Sequence, residues 1–461
     1  AEHAPDNSRF GSHSVHGLVR FMLAHSGPAV AGMRRRSTPW FSRAQSVTSG
    51  GRGVLARVFT GTHVGEGAFL TSLGVVLVPV TGRLFAGAHG LGGGTPVLGD
   101  RTVGASGAFH GERGFRSGER GGQWVSGPLH PPARLDNPAA MSARFTTQQD
   151  PADWCAVWAV FFLALVWWRL GIPSQIYFDE VHYVTAARKL NEGLRFNPEH
   201  PMLGKWAIAE AIRLFGDRPL VWRVPSALCG GLGLFAFSRM VWFATGNRRV
   251  TFAALFLVAT DFMWFIQSRI AMLDMVMVLF GMVGLWLAIS AVRLPGQARW
   301  RLALAGISLG LALGAKWSIA PAAALPGLVF AGWKLRDNGA RFLIARNGGP
   351  VPGMTLIEAA LWLGLVPLLA YWLSFWPAFH WTKMPVNPWD PIGWHHYMLR
   401  LQDSVTRLHP YRSQWYQWVV NWRAIWYLYQ PVDGAQRGVL LIGNPFTMLA
   451  GLPALAWCLW T

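Results

Sequence analysis

Two adjacent carboxylates, Asp179 and Glu180, stand in "SQIYFDEVHYVTAARKLNEGLRFNPEHPMLGKW" (174–206). An apolar run, "WCAVWAVFFLALVWW", precedes this stretch and another, "VWRVPSALCGGLGLFAFSRMVWF", follows it. A carboxylate at such a boundary can act as a general base, taking the proton of a hydroxyl that attacks from water. It can equally sit in the first turn of the helix expected for "EVHYVTAARKL", where negative charge meets the positive end of the helix dipole. Successive helical residues point about 100° apart, so at most one of the two faces a given reacting atom.

Further charges lie at similar boundaries. His200 and Lys205 belong to "HPMLGKW", a turn leading into "KWAIAEAIRLF". That segment reads as an amphipathic helix lying on the bilayer, with Lys205 close to lipid headgroups where a phosphate could sit. Arg269 and Asp274 bound the junction "SRIAMLD" between two apolar runs. They suit either a membrane-edge ion pair or an anion site, because a charge at membrane depth costs ~2.5–3.5 kcal/mol and calls for a partner or a task. Lys316, in "LGLALGAKWSIAPAAALPGL", has no acidic neighbour in sequence. A lysine at the apex of a tightly turned helix pair suits an anionic headgroup. His395 and His396 are adjacent and cannot share one helix face, so no metal is expected there. Cys155, Cys229 and Cys458 all fall inside apolar runs and read as buried small hydrophobes, with neither disulfide nor zinc spacing.

The elements that must carry these groups are apolar. Of 461 residues, 52% are hydrophobic and 14% charged, and 26 Trp and 27 Phe exceed what a soluble core needs. The composition fits a polytopic membrane protein whose apolar runs cross ~30 Å of hydrocarbon. Spans are expected near 154–171, 221–243, 250–266, 271–291, 302–315, 318–333, 356–376 and 438–460. A polar loop of some 45 residues follows the first, and a loop rich in Trp, Tyr and His fills 377–437.

The net charge of +19 does not imply nucleic acid, since the basic residues beyond position 150 gather in short loops between apolar runs. The loops with Arg248 and Arg249, with Arg293, Arg299 and Arg301, and with Lys334, Arg336, Arg341 and Arg346 alternate onto one side. By the positive-inside rule that side is cytoplasmic; Arg169 is a mild exception. The Asp179–Glu180 loop, the Arg269–Asp274 junction, Lys316 and the 377–437 loop then share the outer face. Upstream, residues 1–140 are rich in Gly, Arg and His, contain no Lys and show no sustained period, so they are expected to be disordered. "GLGGGT" there has no flanking strand and helix and is not a phosphate loop. Met141 is a plausible natural start.

In order along the chain, "FDEVHY", "HPMLGK", "SRIAMLD", "AKWS" and "HPYRSQWYQW…PVDGAQRG" resemble the protein O-mannosyltransferases of the GT-C superfamily, over about residues 154–461. The resemblance implies an all-α bundle of about eleven transmembrane helices, with juxtamembrane helices in the first outer loop. It implies inverting transfer of mannose from a polyprenyl-phosphate-mannose donor to Ser/Thr hydroxyls of secreted or membrane proteins. It assigns Asp179 the catalytic carboxylate and Glu180 its neighbour in acceptor placement. Arg269, Asp274 and Lys316, with His200 and Lys205, would surround the donor phosphate. His182, Trp317, His409, Tyr411, Trp415 and Trp418 would line the substrate. No metal or other cofactor is implied.

Met202 stands where the family has a second Pro in "HPPLGK", and 377–437 holds no large MIR-type insertion. The latter points to the bacterial branch, in the inner membrane with the site facing the periplasm, within reach of the Sec translocon. The expected organisation is then 1–140 as an extension, 141–376 as the catalytic membrane region, 377–437 as a periplasmic loop, and 438–461 as the start of a truncated C-terminal membrane region. An aminoarabinose transferase acting on lipid A would share the Asp-Glu loop but differ around "HPMLGK" and "HPYRSQWYQW". A transporter would place charges nearer span centres and show paired broken helices. A membrane scaffold would leave Lys316 without a purpose.

Overall fold

The computed structural model describes residues 148–404 and 414–460. Met141, the segment 1–140, His409 and Tyr411 lie outside the described residues. The protein is mostly helical: α1 Ala152–Trp167, α2 Glu180–Asn191, α3 Leu203–Phe215, α4 Pro219–Thr245, α5 Arg248–Ala259 and α6 Phe262–Gln267 come first. Then follow α7 Asp274–Arg293, α8 Ala298–Ala315, α9 Ala320–Asn338, α10 Leu356–Leu373, α11 Pro391–Asp403, α12 Trp415–Val419 and α13 Pro445–Trp460. A hairpin of β1 Ile425–Val432 and β2 Ala435–Leu441 precedes α13.

Four helical stretches among the described residues are long and apolar enough to cross a membrane: Pro219–Thr245, Asp274–Arg293, Trp317–Arg341 and Leu356–Leu373. Ala152–Trp167 and Pro445–Cys458 are shorter apolar helices. The chain is a multi-pass membrane protein. Trp154, Val160, Phe161 and Trp168 on and just after α1 are exposed, as are Leu328, Leu368 and Leu373 further on. Large apolar side chains on outward faces are what a lipid solvent permits.

The stretch 250–266, expected as one span, is broken after Ala259. Asp261 accepts from the amides of Met263 (2.9 Å) and Trp264 (3.1 Å), so it caps a new helix rather than letting α5 continue. The expected 438–460 span also begins differently. Its first residues are strand β2, and the helix starts only at Pro445. The hairpin departs from an all-helical chain for a local reason. "IWYLYQPV" favours an extended backbone. Asp433 (φ +51) and Gly434 (φ +72) then supply the two left-handed residues of a two-residue hairpin turn.

Helices α4, α7 and α8 pack closely, and α8 also lies against α10. A Cβ at Gly306 would collide with the Trp362 carbonyl, at Gly310 with that of Pro367, and at Gly314 with the Ser374 hydroxyl. Three glycines at four-residue spacing therefore make one flat face that lets two backbones approach, a common means of holding helices together where lipid removes the hydrophobic drive. One large core joins α1, α4 and α7 to α2, α3 and the hairpin through Tyr183, Met272, Ile319, Ile425 and Tyr427. The loop elements are thus tied to the span ends.

Candidate active site

Asp179 occupies the N-cap position of α2 and is half-buried, yet its side chain makes no capping hydrogen bond to that helix. The simple capping role therefore does not account for it. Phe178, just before it, has φ +51. This left-handed backbone is rare for an aromatic residue, and surrounding contacts must hold it. One of them is a face-to-face stack on Tyr427, with centroids 3.8 Å apart and planes at 19°.

Glu180, for which the resemblance implied a part in acceptor placement, points inward instead. It is wholly buried and accepts two bonds from the Arg223 guanidinium, Nε at 2.7 Å and Nη2 at 2.9 Å. The Ala271 amide adds a third bond at 2.9 Å. Arg223 also donates to the carbonyls of Leu170 (3.0 Å), Pro173 (2.8 Å) and Gln175 (3.3 Å), and its guanidinium lies over the Tyr177 ring. The pair joins the 170–180 loop, α4 and the junction before α7. Glu180 thereby fixes the backbone next to Asp179.

Asp274 and Lys316 come together across 42 positions of sequence. Nζ lies 3.1 Å from both carboxylate oxygens, and both side chains are buried. Asp274 opens α7, while Lys316 sits in extended backbone where α8 ends, which turns its side chain off the helix axis. Arg269 takes a separate place. It donates to the carbonyls of Val166, Trp168 (2.8 Å) and Arg169 (3.1 Å), closing the C-terminal end of α1, and lies over the Phe265 ring. Burial lowers the Arg269 pKa from its ordinary value, Tyr177 opposes that, and the charges of Arg223 and Arg169 add to it.

Lys205 does not reach toward headgroups. It is fully buried and donates to the carbonyls of Asn197 (2.5 Å) and His200 (2.7 Å), clamping the turn before α3. Burial lowers its pKa to about 7, with Glu199 pulling the other way. His200 is buried against the edge of Tyr183 at 5.9 Å. Of the expected lining residues, His182 is exposed on α2 and Trp418 half-buried on α12, which also carries Trp415. Trp317 donates to the Tyr371 hydroxyl (2.8 Å) and stacks on His395 at 15°. The Tyr371 hydroxyl in turn lies 2.6 Å from His395 Nε2. Among the described residues, no three His, Cys, Asp or Glu side chains converge into a cluster able to hold a metal ion.

Tyr427 links the parts. It is the unpaired residue of a bulge in β1, where the register shifts between Trp426 and Leu428. Bulges re-aim side chains, and this one sends an aromatic ring inward. Its hydroxyl accepts from Gln267 at 3.4 Å. Burial holds the phenol well above its ordinary pKa, reinforced by the charges of Asp274 and Asp179 and opposed by that of Lys316. The Tyr427 ring stacks on Phe178, the residue before Asp179, and shares one core with Leu273 and Ala315, the neighbours in sequence of Asp274 and Lys316. Neither Tyr427 nor Arg223 was among the expected site residues. A charge inside "VWRVPSALCGG" was the signal for Arg223.

Comparison with known proteins places the chain in one family. The profile described as dolichyl-phosphate-mannose-protein mannosyltransferase matches residues 199–345, and a second profile of the same description matches 156–227. The polyprenol-phosphate-mannose–protein mannosyltransferase of Mycolicibacterium smegmatis is 30% identical over 360 residues, covering 63% of this chain and 68% of that protein. The Corynebacterium glutamicum enzyme of the same name is 29% identical over 387 residues, covering 68% and 73%. A solved Saccharomyces cerevisiae protein O-mannosyltransferase Pmt1–Pmt2 complex bound to the sugar donor is 21% identical, with a TM-score of 0.43 over 57% of this chain and 38% of that one. The chain belongs to the family of phosphate-mannose-dependent protein mannosyltransferases.

Proposed function

We propose that this protein transfers mannose from polyprenyl-phosphate mannose to Ser/Thr hydroxyls of secreted or membrane proteins, at the periplasmic face of a bacterial inner membrane. The observations that carry this reading are the buried Asp274–Lys316 ion pair and the placement of Asp179 directly after Phe178, which stacks on Tyr427 in the same core as Leu273 and Ala315. The relatives' shared name supplies the donor and the acceptor class.

In this reaction the acceptor oxygen attacks the anomeric carbon of mannose and forms the new glycosidic bond. The bond from that carbon to the phosphate oxygen breaks, and polyprenyl phosphate leaves with the electron pair. Asp179 takes the hydroxyl proton, a contribution of ~10²–10⁴-fold. Lys316, oriented by Asp274, places positive charge where the phosphate gains negative charge, usually the largest electrostatic contribution in such transfers. Attack opposite the leaving group inverts the anomeric centre. Glu180 and Arg223 keep the Asp179 turn in place, and Trp317, Tyr371 and His395 offer an aromatic and hydrogen-bonding wall for a sugar. No metal is assigned a role in this reading.

The test incubates membranes containing the full-length protein with polyprenyl-phosphate [³H]mannose and a Ser/Thr-rich peptide. Label should move to the peptide and be released by β-elimination. Label that stays on lipid, or moves only from another sugar donor, contradicts this function.

A further inference from the structure

A second feature at the same end of the bundle is absorbed by neither the transfer chemistry nor the ion pairs that frame it. A cavity of ≈ 620 Å³ opens between the end of α1, the 172–177 loop, α6 and strand β2. Its walls divide by chemistry. Leu165, Trp168, Phe265 and Ile266 form an apolar side, while Arg169, Arg269 and Arg437 bring three guanidiniums to it. Neither Asp274 nor Lys316 lines it.

The apolar wall continues onto the lipid-facing side of α1. Leu165 is 49% exposed and Trp168 73%, so the cavity has an open apolar edge along a membrane helix. The charged wall carries an excess of positive charge. Arg437 donates to the Val432 carbonyl at 3.0 Å and lies 3.5 Å from Asp433, which offsets one charge. Arg269 is held by carbonyls, with no carboxylate among its hydrogen-bond partners, and Arg169 and Arg223 act on it as like charges. Crowded guanidiniums cost energy unless an anion joins them, and a guanidinium fork matches a phosphate oxygen pair.

We infer that this cavity binds the phosphate of a lipid, its head among Arg169, Arg269 and Arg437 and its chain along Leu165 and Trp168. It is a lipid site separate from the Asp274–Lys316 pair. The lipid is either a membrane phospholipid or the polyprenyl phosphate that the reaction releases. The chemistry of the head is the same in both, and the binding does not depend on mannosyl transfer taking place.

The experiment is native mass spectrometry of the full-length protein in detergent, titrated separately with polyprenyl monophosphate, phosphatidylglycerol and diacylglycerol. The variant is the double substitution Arg169→Gln/Arg437→Gln, which leaves the α1-capping Arg269 intact. Arg169→Lys/Arg437→Lys is the charge-keeping control. The Gln pair should weaken binding of at least one phosphate-bearing lipid by about ten-fold or more, the Lys pair should restore much of it, and diacylglycerol should bind all forms alike. Loss confined to polyprenyl monophosphate assigns the site to the reaction's lipid product, and loss shared by phosphatidylglycerol assigns it to bulk phospholipid. Unchanged binding of both phosphate lipids to a folded Gln pair overturns the proposal, as does equal loss of diacylglycerol.

Discussion

Glu180 and Arg223 face each other as a fully buried, two-bonded ion pair, with N–O distances of 2.7 and 2.9 Å. Glu180 directly follows Asp179, and the pair bonds to the backbone of the 170–177 loop and of the junction before α7. Burying two charges is costly, and a pair of this kind gives little net stability over apolar replacements; losing one partner, however, strands the other. Glu180→Gln or Arg223→Ala should therefore lower stability by roughly 3–5 kcal/mol. Combining Glu180→Leu with Arg223→Met should recover part of it while leaving transfer impaired, because the Asp179 turn loses its anchor. Thermal unfolding in detergent, with activity measured on the same samples, checks both halves.

The Phe178–Tyr427 stack predicts a split between two substitutions. Tyr427→Phe keeps the ring against Phe178 and removes only the 3.4 Å contact with Gln267, so activity should fall by no more than a few-fold. Tyr427→Ala empties an aromatic site in the core, at a cost of about 3–5 kcal/mol, and frees the strained Phe178 backbone. Its kcat should drop far more than that of the Phe variant. Equal behaviour of the two would remove the stack from the account.

Lys316→Ala should reduce kcat by ~10²–10³ with the acceptor peptide KM unchanged, the effect expected when one charge-stabilising group is lost. Lys316→Arg should retain part of the rate. Asp274→Asn should have a smaller effect, since it leaves the cation in place. Steady-state kinetics with donor and peptide each varied in turn separate these cases.

Lys205 sets a pH dependence. With its pKa near 7 in the folded protein and 10.5 ordinarily, the unfolded chain binds the extra proton between those values. Stability must then rise with pH across that window, by at most about 1.4 kcal/mol per unit, and the burial penalty is fully present below pH 7. Between pH 7 and 9 the unfolding temperature of the wild type should rise relative to that of Lys205→Met. Parallel curves would show that the ammonium stays charged.

Much of this was legible in the residues. The apolar runs near 221–243, 271–291, 318–333 and 356–376 match the four helical stretches long and apolar enough to cross a membrane, whereas the run at 250–266 is broken and that at 438–460 begins as a strand. Asp179, Asp274 and Lys316 stood out as charges at span ends. Their gathering on one face was expected, but the direct Asp274–Lys316 ion pair was not, because it forms only when α7 and α8 pack along the bundle. The resemblance separated Asp179 from Glu180, but the burial of Glu180 against Arg223 was not visible, since its partner lies 43 positions away. The Asp433–Gly434 pair was a visible turn signal for a hairpin, whereas the bulge that turns Tyr427 toward the site leaves no mark in composition. Lys205 read as an interfacial cation because its backbone carbonyl partners are invisible to side-chain patterning.

The most direct measurement is mannosyl transfer by Asp179→Asn, with purified full-length protein, polyprenyl-phosphate mannose and a Ser/Thr peptide. Asn keeps the size of the side chain but cannot accept the acceptor's proton. Transfer should fall by at least ~10²-fold, with unfolding temperature and donor binding preserved. A variant that transfers mannose at the wild-type rate would show that the proton leaves by another route, and the site would have to be rebuilt around a different base.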